Sequence, residues 1–177
     1  QVKSFTLTGW ALCTDGREGT GGNRIVSWML PGKSGEGVEL LWRADGSLQL
    51  GIHQPPDGSP VRTPSGKVPV VDGKAKDPGE AATKPWRFFA VTYDPGAASG
   101  HVKFYLGTWQ QDVALVSTHD YNRGPAGPRS APALSIGNVP PSIRPAAPDR
   151  AFRGVLDEVR IYAGTADGAG ALGLPEL

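Results

Sequence analysis

Phe152-Arg153-Gly154-Val155-Leu156-Asp157-Glu158-Val159-Arg160-Ile161-Tyr162 reads as one β-strand with an acidic pair inside it, and no other segment constrains the fold as much. Asp is depleted in strands, yet Asp157 shares the alternation parity of Val159 and Ile161. On a half-buried sheet that parity turns it toward the apolar layer. A carboxylate placed there needs a partner. Backbone donors at the rim of a sandwich would serve, and so would a calcium ion with its hard oxygen ligands.

The remaining strands follow the same two-residue rhythm. Arg24-Ile25-Val26-Ser27-Trp28-Met29 is a strand, and residues 38–43 and 48–53 form a hairpin around Ala44-Asp45-Gly46-Ser47. Leu48, Leu50 and Ile52 share one face while Gln49, Gly51 and His53 share the other, the signature of an antiparallel sheet with one buried side. A one-residue slip would invert both faces, so the pattern also pins the register. Phe88, Ala90 and Thr92 alternate with Phe89, Val91 and Tyr93, a strand apolar on both sides that belongs in the middle of a sandwich. Val102, Phe104 and Leu106 then alternate with His101, Lys103 and Tyr105. With 25 Gly and 17 Pro punctuating short apolar runs, the chain is predicted to be all-β and antiparallel.

Two segments break the rhythm. Residues 54–84, rich in Pro, Gly and Lys, form a longer loop than compact domains usually carry, with a short edge strand expected at Lys67-Val68-Pro69-Val70-Val71. Residues 122–150 are stiffened by several prolines around the short strand Leu134-Ser135-Ile136-Gly137. Both read as surface insertions. The last residues, 171–177, read as a terminal turn.

This ordered set resembles the concanavalin A-like lectin/glucanase superfamily, in particular its laminin-G-like or pentraxin-like branch. The opening Phe5-Thr6-Leu7-Thr8-Gly9-Trp10, the Asp45-Gly46 hairpin and Trp86-Arg87-Phe88-Phe89-Ala90-Val91-Thr92-Tyr93-Asp94 come first. Val102-Lys103-Phe104-Tyr105-Leu106-Gly107, Leu134-Ser135-Ile136-Gly137 and the closing strand complete the set. The resemblance implies an antiparallel jelly-roll β-sandwich, concanavalin A-like, with residues 1–177 as a single domain. It also implies a strand before Phe5, so the domain is expected either to lack its first strand or to be excised from a larger protein. Because the terminal strands of the fold usually pair, the closing strand is expected to lack its neighbour or to find it at residues 1–3. Many members hold calcium through a carboxylate near Asp157, with oxygens from the other end of the chain. Asp157 is therefore the expected metal ligand, with Asp15 a candidate contributor.

Composition narrows the partners. A formal net charge of +1 with 20% charged residues gives no basic stripe for nucleic acid. No stretch is long and apolar enough for a membrane span. The single cysteine, Cys13, excludes an intramolecular disulfide and reads as a small core residue. The chain begins at Gln rather than Met, which suggests cleavage or trimming, and the resemblance implies a secreted, periplasmic or cell-surface protein.

For catalysis the sequence offers little. Retaining glucanases of the superfamily carry Glu-x-Asp-x-x-Glu or a near variant, absent here, and the adjacent Asp157 and Glu158 of a regular strand point to opposite faces. Polysaccharide lyases of the same sandwich use Gln-Ile-His with a Tyr-bearing strand. Gly51-Ile52-His53 keeps the His and loses the Gln. His53, His101 and His119 lack metal-ligand spacing, so zinc is not expected. A binding role asks less: aromatic rings stack on the apolar faces of sugars while planar polar groups fix hydroxyls. Trp10, Trp28, Trp42 and Trp86 read as packing residues inside strands. Trp109 instead sits in a turn with Gln110, Gln111 and Asp112, and His119-Asp120-Tyr121-Asn122-Arg123 is a second polar and aromatic group. The expected ligand-binding residues are Trp109, His119, Tyr121 and His53. The expected function is non-catalytic recognition of a glycan or a protein surface, against a carbohydrate-active enzyme with a non-standard site or a structural spacer.

Overall fold

The computed structural model describes residues 2–14, 23–30, 36–53, 61–62, 86–127, 133–146, 150–166 and 168–177. Ten strands among them form two five-stranded antiparallel sheets. The first sheet runs in the order β10 (Gly154–Gly164), β1 (Ser4–Cys13), β6 (Arg87–Tyr93), β7 (Val102–Gly107), β8 (Ala114–His119). The second runs β5 (Val61–Arg62), β4 (Leu48–His53), β3 (Gly37–Trp42), β2 (Asn23–Met29), β9 (Ser135–Ile136). The edge strand expected at Lys67-Val68-Pro69-Val70-Val71 lies outside the described residues, as does Asp15.

The core is built by the predicted alternation. Phe5, Leu7, Ala11 and Cys13 of β1, Phe89, Val91 and Tyr93 of β6, and Val102, Phe104 and Leu106 of β7 meet Val38, Leu40 and Trp42 of β3 and Leu48, Leu50 and Ile52 of β4. Each large side chain among them contributes roughly 1.5–3 kcal/mol by leaving water. Gly9 lies on the inward row, and its missing side chain leaves room for the Phe89 ring and the Val159 methyls, which a Cβ there would meet at 3.0 and 3.2 Å. The β3–β4 hairpin is closed as its sequence predicts. Asp45 Oδ1 accepts from Ser47 N at 3.0 Å and Ser47 Oγ at 2.6 Å, and Gly46 supplies φ +70°.

Two expectations need correction. The closing strand β10 neither lacks a neighbour nor pairs only at residues 1–3: it pairs with β1 along Ser4 to Cys13. Asp157 also does not face the apolar layer. The β1–β10 register shifts between Thr8, opposite Arg160, and Trp10, opposite Asp157, so β10 carries one extra residue. Glu158 takes φ +46° in this bulge, the only non-glycine positive φ among the described residues. Parity therefore switches along the strand. Leu156 and Val159 both pack against the core, while Asp157 turns out on the same side as Trp10 and is exposed.

Candidate functional site

The outer face of the first sheet is formed by the residues that alternate with the core row: Ser4, Thr6, Thr8 and Trp10 on β1, Phe88, Ala90 and Thr92 on β6. Part of this face is roofed by the C-terminal segment. Thr6 Oγ1 donates to Gly170 O at 2.7 Å and accepts from Leu172 N at 2.9 Å. Ser4 Oγ accepts from Gly170 N at 2.7 Å. These bonds explain why threonine and serine, rather than apolar residues, occupy buried outward positions.

Where that segment ends, a cleft of about 370 Å³ opens. Thr8, Trp10 and Phe88 form its floor, Gln111, Asp112 and Val113 one wall, Glu158, Arg160 and Tyr162 another, and Leu172, Glu176 and Leu177 the roof. Trp10 packs edge-on against Phe88, with centroids 5.5 Å apart, and is stacked on Trp109 at 4.3 Å with planes 11° apart. Trp109 stays 69% exposed. Its loop is fixed by Thr108, whose N–H donates to Gln111 O at 3.1 Å and whose Oγ1 accepts from Gln110 N at 3.1 Å. The result is a braced indole with its free surface in water beside a polar cleft. On the opposite wall Arg160 donates to Glu158 Oε2 at 3.0 Å. Its hydrogen bond with Tyr162 and the Glu158 carboxylate push its pKa further up.

The second sheet carries a different arrangement. On its outer face Arg24 Nε donates to Glu39 Oε2 at 2.9 Å, and His53 Nε2 lies 3.2 Å from Glu39 Oε1. A bulge at Ile25 produces this: Ile25 and Val26 both turn into the core, leaving Arg24 and Ser27 outward. Gly51 lies directly opposite Glu39, and the His53 ring folds back over it; a Cβ at Gly51 would lie 2.5 Å from His53 Nε2. Burial opposes ionisation of Glu39, but the His53 hydrogen bond and the Arg24 guanidinium outweigh it and hold its pKa below the usual carboxylate range. Burial, with Arg150 and Arg43 nearby, lowers that of Arg24 against the pull of Glu39.

The four expected ligand residues fall in four separate places. Trp109 does not line the cleft itself but stacks on Trp10, which does. His53 is tied to Glu39 on the other sheet. His119 closes the far end of β8 from the Trp109 loop, edge-on to Phe104 at 5.7 Å and 3.3 Å from Ser117 Oγ. Tyr121 is a core residue: its hydroxyl accepts from Ile52 N at 3.2 Å, and its ring, only 8% exposed, presents no platform for a ligand. The aromatic at 121 is thus explained by a bond between loop and sheet. Trp10, read as a packing residue, also forms the floor of the cleft together with Phe88. Their parity with Thr6, Thr8 and Thr92 was the available signal.

Calcium is poorly served by the described residues. Asp157 is exposed, one of its oxygens accepts from Glu158 N at 2.8 Å, and Glu158 is engaged with Arg160. No group of three or more His, Cys, Asp or Glu side chains that could hold a metal occurs among the described residues. Among the described residues, the donors around Asp157 are too few for a six- to eight-oxygen cation.

Two packed antiparallel sheets define a β-sandwich, with a cleft on one outer face. The chain belongs to the Laminin_G_3 family of the concanavalin A-like lectin/glucanases superfamily, whose sequence model matches residues 1–168. No curated protein matches the chain by sequence. Among solved structures it is similar to the CBM40 of the Ruminococcus gnavus IT-sialidase, bound to α2,6-sialyllactose, at TM-score 0.57 and 11% identity, covering 99% of this chain and 82% of that one. The same module bound to α2,3-sialyllactose matches equally, with 81% of that chain covered. At this identity the likeness is one of fold. No helix among the described residues is long and apolar enough to cross a membrane.

Proposed function

We propose that the domain is a non-catalytic carbohydrate-recognition module whose ligand lies in the cleft on the outer face of the first sheet and stacks on Trp109. The observation that carries this reading is the Trp10–Trp109 stack, 4.3 Å between centroids, which holds a largely exposed indole rigid beside a polar cleft. Exposing a tryptophan is unfavourable in water, and bracing it against a second one lowers the ordering cost when an apolar sugar face arrives. Gln111, Asp112, Arg160 and Tyr162 then supply planar polar groups for hydroxyls. The sialyllactose carried by the R. gnavus modules supports a glycan as the ligand class.

An enzymatic reading finds less support. Glycoside hydrolysis needs one carboxyl kept protonated as general acid beside a second carboxylate. Among the described residues the one deeply buried carboxylate is Glu39, which is held ionised with both oxygens engaged by Arg24 and His53. A glycan partner is consistent with a place outside the cytoplasm. The test is a glycan array probed with the purified domain and with Trp109→Ala. Hits by the parent domain that vanish in the variant are expected. Hits that the variant retains would place the ligand elsewhere, and a blank array would move the assignment to a structural or protein-binding role.

A further inference from the structure

Resting on that reading, we propose that the cleft selects against acidic glycans and prefers sugars bearing a free amine, such as oligomers of 2-amino-2-deoxyglucose. The charges lining it decide the sign. Asp112, Glu158 and Glu176 bring three carboxylates against one guanidinium, that of Arg160. Arg160 is already bonded to Glu158 at 3.0 Å, an ion pair that cancels both charges locally. What remains toward the ligand is Asp112 on the wall and Glu176 in the roof. Glu176 Oε2 accepts from Gly173 N at 2.6 Å, which fixes its carboxylate in place.

A sugar carboxylate or sulfate entering this cleft meets two carboxylates that have no ion-pair partner among the described residues, and the one cation of the lining is already bonded to Glu158. An ammonium group meets the opposite situation. It gains charge-assisted hydrogen bonds to carboxylates and lies near an indole face that attracts cations. The carboxylates are solvent-accessible, so each pair adds little and is screened by salt. The charge term therefore tunes a preference, while the Trp109 stack supplies the binding that any sugar shares. Acidic sialyllactose, carried by the structural neighbours, is the ligand this cleft should bind worst.

The experiment is calorimetric titration of the whole domain with glucosamine tetramer, N-acetylglucosamine tetramer and sialyllactose, at low and high salt. It is repeated for Asp112→Asn/Glu176→Gln, which keeps the acceptor for Gly173 N, and for Trp109→Ala. The amine form should bind about fivefold tighter than the acetylated form at low salt. That gap should close at high salt and in the double variant, with sialyllactose weakest. Equal binding of amine and acetyl forms, or tightest binding of sialyllactose, with Trp109→Ala still abolishing it, would overturn the charge preference and leave the glycan site standing. Binding of none of the three, or binding indifferent to Trp109→Ala, would overturn the site and the preference together.

Discussion

Glu39 joins Arg24 and His53 on a face where burial alone would disfavour the Arg24 and Glu39 charges. Removing it leaves Arg24 buried without a counter-charge, so Glu39→Gln should lower stability by about 3–5 kcal/mol in urea denaturation. Replacing the pair together, Arg24→Met/Glu39→Leu, should recover most of that loss. The same carboxylate makes stability depend on pH. Its pKa in the folded chain is below the ordinary value of 4.5. Its contribution is therefore complete above that value and drains away as pH falls through the lower folded one. The parent domain should lose stability on acidification more steeply than the Arg24→Met/Glu39→Leu variant; parallel curves would show that Glu39 is not the group responsible. Gly51→Ala tests the third member, because a methyl there must push the His53 ring off Glu39. A changed His53 ring resonance with the fold intact is the expected result, whereas an unchanged one would mean the ring has room to spare.

At the scale of the element, β10 is decided by its bulge. Glu158 occupies a conformation that costs a non-glycine residue about 1–2 kcal/mol, so Glu158→Gly should be neutral or stabilising by up to ~1 kcal/mol. Glu158→Val, β-branched at positive φ, should destabilise by about 1–2 kcal/mol. Denaturation midpoints of the two variants check this, and equal midpoints would argue that the bulge relaxes. The bulge also explains what was and was not legible in the sequence. The hairpin at Asp45-Gly46, the doubly apolar β6 and the core rows of β4 and β7 could be read because uninterrupted alternation has one solution. Where a strand gains a residue, as at Glu158 and Ile25, parity changes sign without changing composition. Asp157 was thereby assigned to the wrong face, and the outward-facing Arg24 was missed. Tyr121 failed for another reason: an aromatic in a polar loop looks like rim decoration unless the backbone groups it bonds, 69 residues away at Ile52, are known.

For the whole molecule, the two outer faces divide the work. That of the second sheet places a buried ionic cluster over the core. That of the first leaves a cleft beside which an indole stacked on Trp10 is mostly in water. The exposure of Trp109 was legible from its polar setting, but its stacking partner Trp10 comes from a strand about a hundred residues away, and only the fold brings them together. Because Trp109 is exposed, Trp109→Ala should cost less than about 1.5 kcal/mol of stability, the value of an aromatic stack, while removing glycan binding. The most direct measurement is a heteronuclear NMR titration of the isotope-labelled domain with a glycan it binds, following indole and backbone amide signals. Shifts concentrated at the Trp109 and Trp10 indoles and the amides of residues 108–113 are predicted. Shifts confined to His53, Arg24 and the outer face of the second sheet, with both indoles unmoved, would contradict the account.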